Sequence, residues 1–353
     1  MKILVLPGDG IGPEITDATM AALNVLKRKL GLEIDFVIRD IGFAAHAESG
    51  STLPDNILAE IDDSEGVILG PCDTYGYPDA VDGGVNPSMK LRKHFNLYAN
   101  IRPSRVRDGI PATVKAMDLV IARENTEGFY ADRNMVSGSG EFMPTDDTAL
   151  AVRKITVKGS EQIARAAFEL ARTRRKKVTA VHKANVLQVS DGLFLDCVKR
   201  VGENYSDVEL DDVLVDSMAA HLIRRPTDFD VVVTTNMFGD ILSDQAAELS
   251  GGLGLGGSIN AGDDRAMAQA AHGAAPDIAG QNVANPTALM LSVQMLFVWL
   301  ANHHGDNALS EAAGLLEAAV DMVLSDPAKR TPDMGGKAGT NELGAAVAAA
   351  IEV

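Results

Sequence analysis

The stretch Asp230-Val231-Val232-Val233-Thr234-Thr235-Asn236, continued by Phe238-Gly239-Asp240-Ile241-Leu242-Ser243-Asp244, decides how the chain is read. Its first half is a short, apolar, β-branched run and predicts a buried strand. Its second half, backed by Ala246-Ala247-Glu248-Leu249, predicts a helix. On that helix Asp240 and Asp244 stand four residues apart and share one face. Neighbouring carboxylates repel each other and make a poor structural pair. Magnesium or manganese, by contrast, takes one or two carboxylates and fills its shell with substrate and water. The plainer reading is that acidic residues near a helix start suit its macrodipole.

The N-terminus has the same strand-to-helix form. Residues 2–6 predict a strand, which Pro7-Gly8-Asp9-Gly10-Ile11-Gly12-Pro13-Glu14 turns into a helix reaching about Leu30. The third glycine of a dinucleotide fingerprint is Pro13 here, so the G-x-G-x-x-G spacing fails. A tight turn explains the glycines equally well. Residues 33–39 and 66–69 predict further strands, with a helix over 53–60 between them. Such alternation implies an α/β architecture with a largely parallel sheet. Further on, 142–157 predict strands with long connections, and 160–172 an amphipathic helix burying Ile163, Ala167 and Leu170. Residues 178–181 predict a strand, and 213–216 another that ends on the carboxylate of Asp216. Glycine-rich 251–257 is a flexible crossing, while 289–300 and 308–324 predict packed helices.

Arginines come in a recognisable order. Asn86-Pro87-Ser88-Met89-Lys90-Leu91-Arg92 is followed by Asn100-Ile101-Arg102-Pro103 and by Arg123-Glu124-Asn125-Thr126-Glu127-Gly128-Phe129-Tyr130. Guanidinium forks bind carboxylates through paired hydrogen bonds, so three of them suit a dicarboxylate or tricarboxylate. Singly, each is an ordinary surface group. Lys183 stands just past a strand end, where α/β folds place their chemistry, although a lone lysine there is usually only exposed. The basic run Arg172-Thr173-Arg174-Arg175-Lys176-Lys177 reads as a solvated loop in so acidic a chain.

To these motifs are added His182-Lys183-Ala184-Asn185-Val186, Gly273-Ala274-Ala275-Pro276-Asp277-Ile278-Ala279-Gly280 and Thr331-Pro332-Asp333-Met334-Gly335-Gly336. With all of them in this order, the chain resembles the β-decarboxylating dehydrogenases of the isocitrate and 3-isopropylmalate family, which includes homoisocitrate and tartrate/D-malate enzymes. The resemblance implies an α/β, isopropylmalate dehydrogenase-like two-domain fold with a mixed central sheet, not a Rossmann fold. Residues 1–98 and 253–353 would form a large cofactor-binding domain. Residues 99–252 would form a small domain carrying a dimer interface and, over 142–157, an arm that pairs with a second subunit. The implied active unit is a homodimer with shared sites. Lys183, offered across the dimer interface by the second subunit, and Tyr130 become the catalytic residues. Arg92, Arg102 and Arg123 would grip the substrate carboxylates, with Asn86, Pro87 and Ser88 near its C3 group. Asp240 and Asp244, with Asp216 offered by the second subunit, would hold Mg2+ or Mn2+. His272, Gly273, Ala274, Ala275, Pro276 and Asp277 resemble the adenosine-binding loop, and Asn285 an adenine contact. Where NADP enzymes of the family carry lysine and tyrosine, this chain has Asp277-Ile278. A carboxylate accepts hydrogen bonds from a ribose diol but repels a 2′-phosphate, which points to NAD. Gln269 stands where the family usually has glutamate, a departure that bears on nicotinamide positioning.

The implied reaction is metal-dependent oxidative decarboxylation of a 3-substituted D-malate with NAD, of the isocitrate, homoisocitrate or tartrate/D-malate type. A 3-isopropylmalate dehydrogenase of leucine biosynthesis is the alternative, and a non-catalytic regulatory subunit a weaker one, since the whole residue set is present. Small polar Asn86 and Ser88 suit a carboxylate or hydroxyl on C3 better than an isopropyl group. Composition agrees. The 353 residues suit two domains or one interleaved pair, and 46% apolar residues suffice for a full core. A formal charge of −17 disfavours nucleic acid and anionic membranes as partners. Cys72 and Cys197 offer no disulfide framework, and the N-terminus lacks a signal peptide's regions, so a cytoplasmic protein is expected.

Overall fold

The computed structural model describes residues 1–130, 135 and 138–353. In chain order its elements are β1 (Lys2–Leu6), α1 (Gly12–Leu30), β2 (Asp35–Ile38), α2 (Phe43–Ser49), α3 (Asp55–Asp62), β3 (Gly66–Leu69), α4 (Pro87–His94), β4 (Ala99–Arg105) and β5 (Asp118–Glu124). There follow β6 (Glu141–Thr145), β7 (Thr148–Ala151), α5 (Val157–Arg172), β8 (Lys177–His182), α6 (Ser190–Gly202), β9 (Glu209–Leu214), α7 (Val215–Arg224), β10 (Val231–Thr234) and α8 (Asn236–Ser250). The chain closes with β11 (Ile259–Ala261), β12 (Ala266–Gln269), α9 (Thr287–His304), α10 (Asn307–Ser325) and α11 (Thr340–Glu352).

One sheet carries ten strands in the order β2-β1-β3-β12-β11-β4-β5-β10-β8-β9. Its two wings are parallel, and the β12-β11-β4-β5 centre is antiparallel. This is the mixed α/β sheet expected. Parallel strands covered by helices on both faces need apolar side chains throughout. Accordingly, every residue of β3 and of β10 is buried. One wing packs α1, α9, α10 and α11 around Leu26, Phe297, Leu316 and Val347. The opposite face of that wing buries Leu4, Ile61 and Leu91. The other wing gathers Ile163, Phe168 and Phe194 on one face and Leu119, Leu222 and Leu242 on the other. The hairpin β6-β7 stands apart from the sheet, with Phe142, Met143 and Leu150 exposed. Among the described residues no helix is long and apolar enough to cross a membrane.

Most element boundaries follow the sequence reading. The α5 helix starts at Val157 because Thr156 caps it, its hydroxyl accepting from the Gly159 N–H at 3.1 Å. Ile163 and Ala167 are fully buried there, and Leu170 packs at the edge of the same core. One expectation needs correction. The strand expected over 213–216 ends at Leu214, and Asp216 lies in the first turn of α7, where a carboxylate meets the positive helix end. The basic run 172–177 is the largely exposed turn between α5 and β8 that was expected, and its arginines are also ion-paired. Arg174 donates to Asp230 and Asp118 at 2.8 and 2.7 Å, and the Arg175 N–H donates to Asp230 at 2.8 Å. Asp230 is buried just before β10, so this run pins the strand that leads into α8. Replacing Asp230 removes the buried charged acceptor of the Arg174 guanidinium and the Arg175 N–H. Asp230→Ala is expected to lower unfolding free energy by about 2 kcal/mol or more in urea titration; an unchanged midpoint and slope would contradict this role.

Candidate active site

Four residues from three elements meet at the N-terminal half of α8. Arg123, 2% exposed at the end of β5, donates from Nε and Nη2 to Asn236 Oδ1 at 3.1 and 2.7 Å. Its Nη1 pairs with Asp240. Arg102, 7% exposed on β4, donates to Asn100 at 2.6 Å, to Ser243 at 2.9 Å and to Asp244 at 3.2 Å, and stands 3.3 Å from Asp240. So Asp240 and Asp244 do share a face, and that face meets two guanidiniums. The contact requires Gly239: a Cβ there would come within 2.7 Å of the Arg123 side chain. Burial, aided by Arg123, lowers Arg102 to about 10, still well above neutrality. Burial also raises the Asp244 carboxyl against the opposing pull of Arg102. Tyr130 completes the group, its hydroxyl 3.4 Å from Asp240 Oδ2 and its ring beside the Arg123 guanidinium.

A chain of amides connects this group to the third arginine. Asn100 Nδ2 donates to Asn260 Oδ1 at 3.1 Å, and Asn260 Nδ2 lies 3.5 Å from Gln269 Oε1. The same Gln269 oxygen accepts from Arg92 Nη2 at 3.1 Å and from Ser88 Oγ at 2.9 Å. Ser88 and Arg92 stand four residues apart on α4, hence on one face. Asn86 caps that helix, its Oδ1 accepting from the Met89 N–H at 2.9 Å. Its side chain thus has a structural task that reading it as a substrate contact did not include.

Lys183, just past β8, and Asp216, in the first turn of α7, form their own ion pair. Lys183 holds the Asp216 carboxyl below its usual range. The Lys183 backbone N–H is clamped at 2.5 Å by Asp191, a fully buried carboxylate that also pairs with Arg153. Within the chain these two residues do not join Asp240 and Asp244. Among the described residues no group of three or more His, Cys, Asp or Glu side chains could hold a metal ion.

The loop 272–280 lies against the glycine-rich turn. Ala274 O accepts from the Ile11 N–H at 2.9 Å, and a Cβ on Gly10, whose φ is +58°, would meet that oxygen at 2.0 Å. The turn therefore seats this loop. Asp9 locks it, accepting from the Phe43 and Asp73 N–H groups at 2.8 and 3.1 Å and from the Tyr77 hydroxyl. His272 Nδ1 lies 3.0 Å from Gly273 O, and burial lowers the ring's pKa, which keeps it neutral. Its Nε2 is buried without a hydrogen-bond partner among the described residues. Asn285 donates to Asp333 at 3.0 Å, and Thr331 in turn holds Asp333. Gly273, Pro276 and Asp277 are exposed, and Ala275 takes a left-handed φ of +38°. Sequence reasoning missed Asp191, Asp333 and the joining role of Gln269; Arg153 and Asn285 lie 38 and 48 residues from Asp191 and Asp333, and the partners of Gln269 more than 170 residues away.

The family model for isocitrate/isopropylmalate dehydrogenases matches residues 2–347, and the chain belongs to that family. It is 41% identical to the homoisocitrate dehydrogenase of Methanocaldococcus jannaschii, over 98% of this chain and 96% of that one. It is 39% identical to the 3-isopropylmalate dehydrogenase of Methanothermobacter thermautotrophicus, over 100% and 99%. The crystal structure of isocitrate dehydrogenase from Methylococcus capsulatus matches with a TM-score of 0.87 at 39% identity, covering 100% of this chain and 99% of that one. The chain is thus an enzyme of a β-decarboxylating dehydrogenase family. These relatives carry three different substrate names, so likeness alone does not choose among them.

Behind the site, burial raises the Glu127 carboxyl to about 7, opposed by Thr156, whose N–H and hydroxyl it accepts at 2.9 and 2.8 Å. A folded-state value above the unfolded one, about 4.3, means stability that is complete below the unfolded pKa and is lost as pH rises through the folded one. The melting temperature should therefore fall between about pH 4.5 and 7. In Glu127→Gln that fall should be shallower by calorimetry. Parallel pH profiles for the two proteins would contradict the assignment.

Proposed function

We propose that this protein oxidises and decarboxylates a 3-substituted D-malate with NAD in the presence of Mg2+ or Mn2+. The observation that carries the proposal is the pair of buried arginines, Arg102 and Arg123, set against Asp240 and Asp244. Two fixed cations suit the carboxylates of such a substrate, and the third, Arg92, is held by Gln269. The donor set fits a hard divalent cation, since Asp240 and Asp244 supply oxygen ligands from one helix face. Two carboxylates leave most of the shell to other groups. Asp216 of a second copy would add one, because Lys183 and Asp216 of the same chain are paired away from Asp240. A homodimer with shared sites follows from that reading, with the exposed β6-β7 hairpin as its arm. Residues 1–98 with 253–353 and residues 99–252 form its two domains, and the cytoplasm is its compartment.

The nucleotide fits the loop 272–280. His272 Nε2 is a buried polar atom in need of a partner, and exposed Asp277 suits a ribose diol. Bound NAD would supply the acceptor for the hydride leaving C2. A bound divalent cation would supply positive charge against the oxygen on which negative charge collects as the β-carboxylate departs. The chain's own residues do the rest. Arg92, Arg102 and Arg123 fix the carboxylates, so the reacting carbon arrives oriented. Lys183 Nζ accepts the C2 hydroxyl proton, and the Tyr130 hydroxyl returns a proton to the enol carbon.

Excess chelator should abolish NADH formation, and added manganese should restore it. Mixing inactive Lys183→Ala with inactive Asp240→Asn subunits should recover activity, because one site of each mixed dimer collects neither change. Absence of recovery after verified subunit exchange would argue against shared sites.

NAD is expected to be preferred over NADP. A 2′-phosphate within ~4 Å of Asp277 costs about 1 kcal/mol per charge pair even in water. Lost hydrogen bonds from the ribose diol add roughly 1.5–3 kcal/mol. The ratio of kcat/KM values should then reach about a hundred, and Asp277→Lys with Ile278→Tyr should narrow it. Equal use of both cofactors by the wild type would refute this role for Asp277.

A further inference from the structure

The polar chain joining the arginines has a fixed proton order. Arg102 donates through Nε to Asn100, and a guanidinium has no acceptor, so the Asn100 atom facing it is the carbonyl oxygen. Asn100 Nδ2 is then left to donate to Asn260 Oδ1, which also accepts from Asn125 Nδ2 at 3.0 Å. At the far end Arg92 Nη2 reaches Gln269 at 3.1 Å, and the same rule makes the Gln269 atom an oxygen. Ser88 Oγ lies 2.9 Å from that oxygen. The hydroxyl therefore spends its one hydrogen on Gln269. What it retains for any further partner is lone pairs.

We infer that Gln269 is a positioning residue that sets Ser88 as a hydrogen-bond acceptor, so that the site selects a substrate whose C3 bears a hydroxyl. This rests on the reading that Ser88 faces the C3 group of a malate. A carboxylate there would bring its own lone pairs against those of Ser88. An isopropyl group would bury the hydroxyl oxygen without a donor. A C3 hydroxyl donates to Ser88 and leaves the bonds from Ser88 and Arg92 to Gln269 intact. Gln269 acts through its neighbours and need not touch the substrate.

The experiment is a panel of kcat/KM values with NAD and Mn2+ for D-malate, the stereoisomers of 3-hydroxymalate, isocitrate and 3-isopropylmalate. The wild type, Ser88→Ala and Gln269→Met are compared. Gln269→Met keeps the side-chain volume and removes the acceptor, so Ser88 becomes free to donate. For the wild type, one 3-hydroxymalate isomer should exceed D-malate by about tenfold or more. Ser88→Ala should bring that ratio close to one. Gln269→Met should lower the ratio too and raise isocitrate relative to 3-hydroxymalate, although absolute rates fall as Arg92 loses a partner. A merely structural role for Gln269 would lower all substrates together and leave the ratios unchanged, which would overturn the inference. So would a wild type that prefers isocitrate or 3-isopropylmalate. Failure to oxidise any member of the panel would instead overturn the proposed function on which the inference rests.

Discussion

The site depends on two guanidiniums held out of water against the carboxylates of one helix turn. Arg102 and Arg123 could not be buried alone, since an unpaired interior charge costs several kcal/mol. Asp240 and Asp244 supply the compensation. The arrangement is therefore stable before anything binds, and every charge in it already has a partner. A ligand must exchange partners rather than create them. On the proposed reading, a substrate carboxylate would relieve the arginines while a cation relieved the aspartates, so each arrival would make the other easier.

The sheet explains how such a cluster is held. Its antiparallel centre, β12-β11-β4-β5, joins two parallel wings, and the polar chain from Arg102 through Asn100 and Asn260 to Gln269 runs across that centre. Amides on neighbouring strands hold one another in a fixed sense, which side chains on loops could not do as rigidly. Gly239 lets α8 settle onto β5, and Gly10 lets the first turn settle onto the loop at Ala274. Both are close approaches of backbone that a single Cβ would prevent.

The expected α/β order and the shared helix face of Asp240 and Asp244 were legible because they are local. Apolar runs such as Val231-Val232-Val233 and a spacing of four residues carry them directly. Asp216 was misplaced into a strand because β9 passes into α7 without a breaking residue at Leu214 or Val215. The basic run 172–177 was legible as an exposed loop, but its ion pairs to Asp118 and Asp230 were not, because those partners lie about fifty-five residues away. Asn86 was legible as polar but not as a helix cap, since a cap is known only once the helix start is known. Gln269 showed as an odd residue in a familiar motif. Its bonds to Ser88 and Arg92 bridge more than 170 residues, and no local pattern records them.

Partner exchange within the arginine and aspartate cluster can be measured without turnover. In calorimetric titration without nucleotide, D-malate should bind at least about tenfold more tightly when Mn2+ is present than in chelator, and Mn2+ should gain equally from D-malate, because coupling is reciprocal. Identical affinities in the two conditions would mean that Asp240 and Asp244 are not released to a cation when the substrate takes their arginines, and would contradict the account.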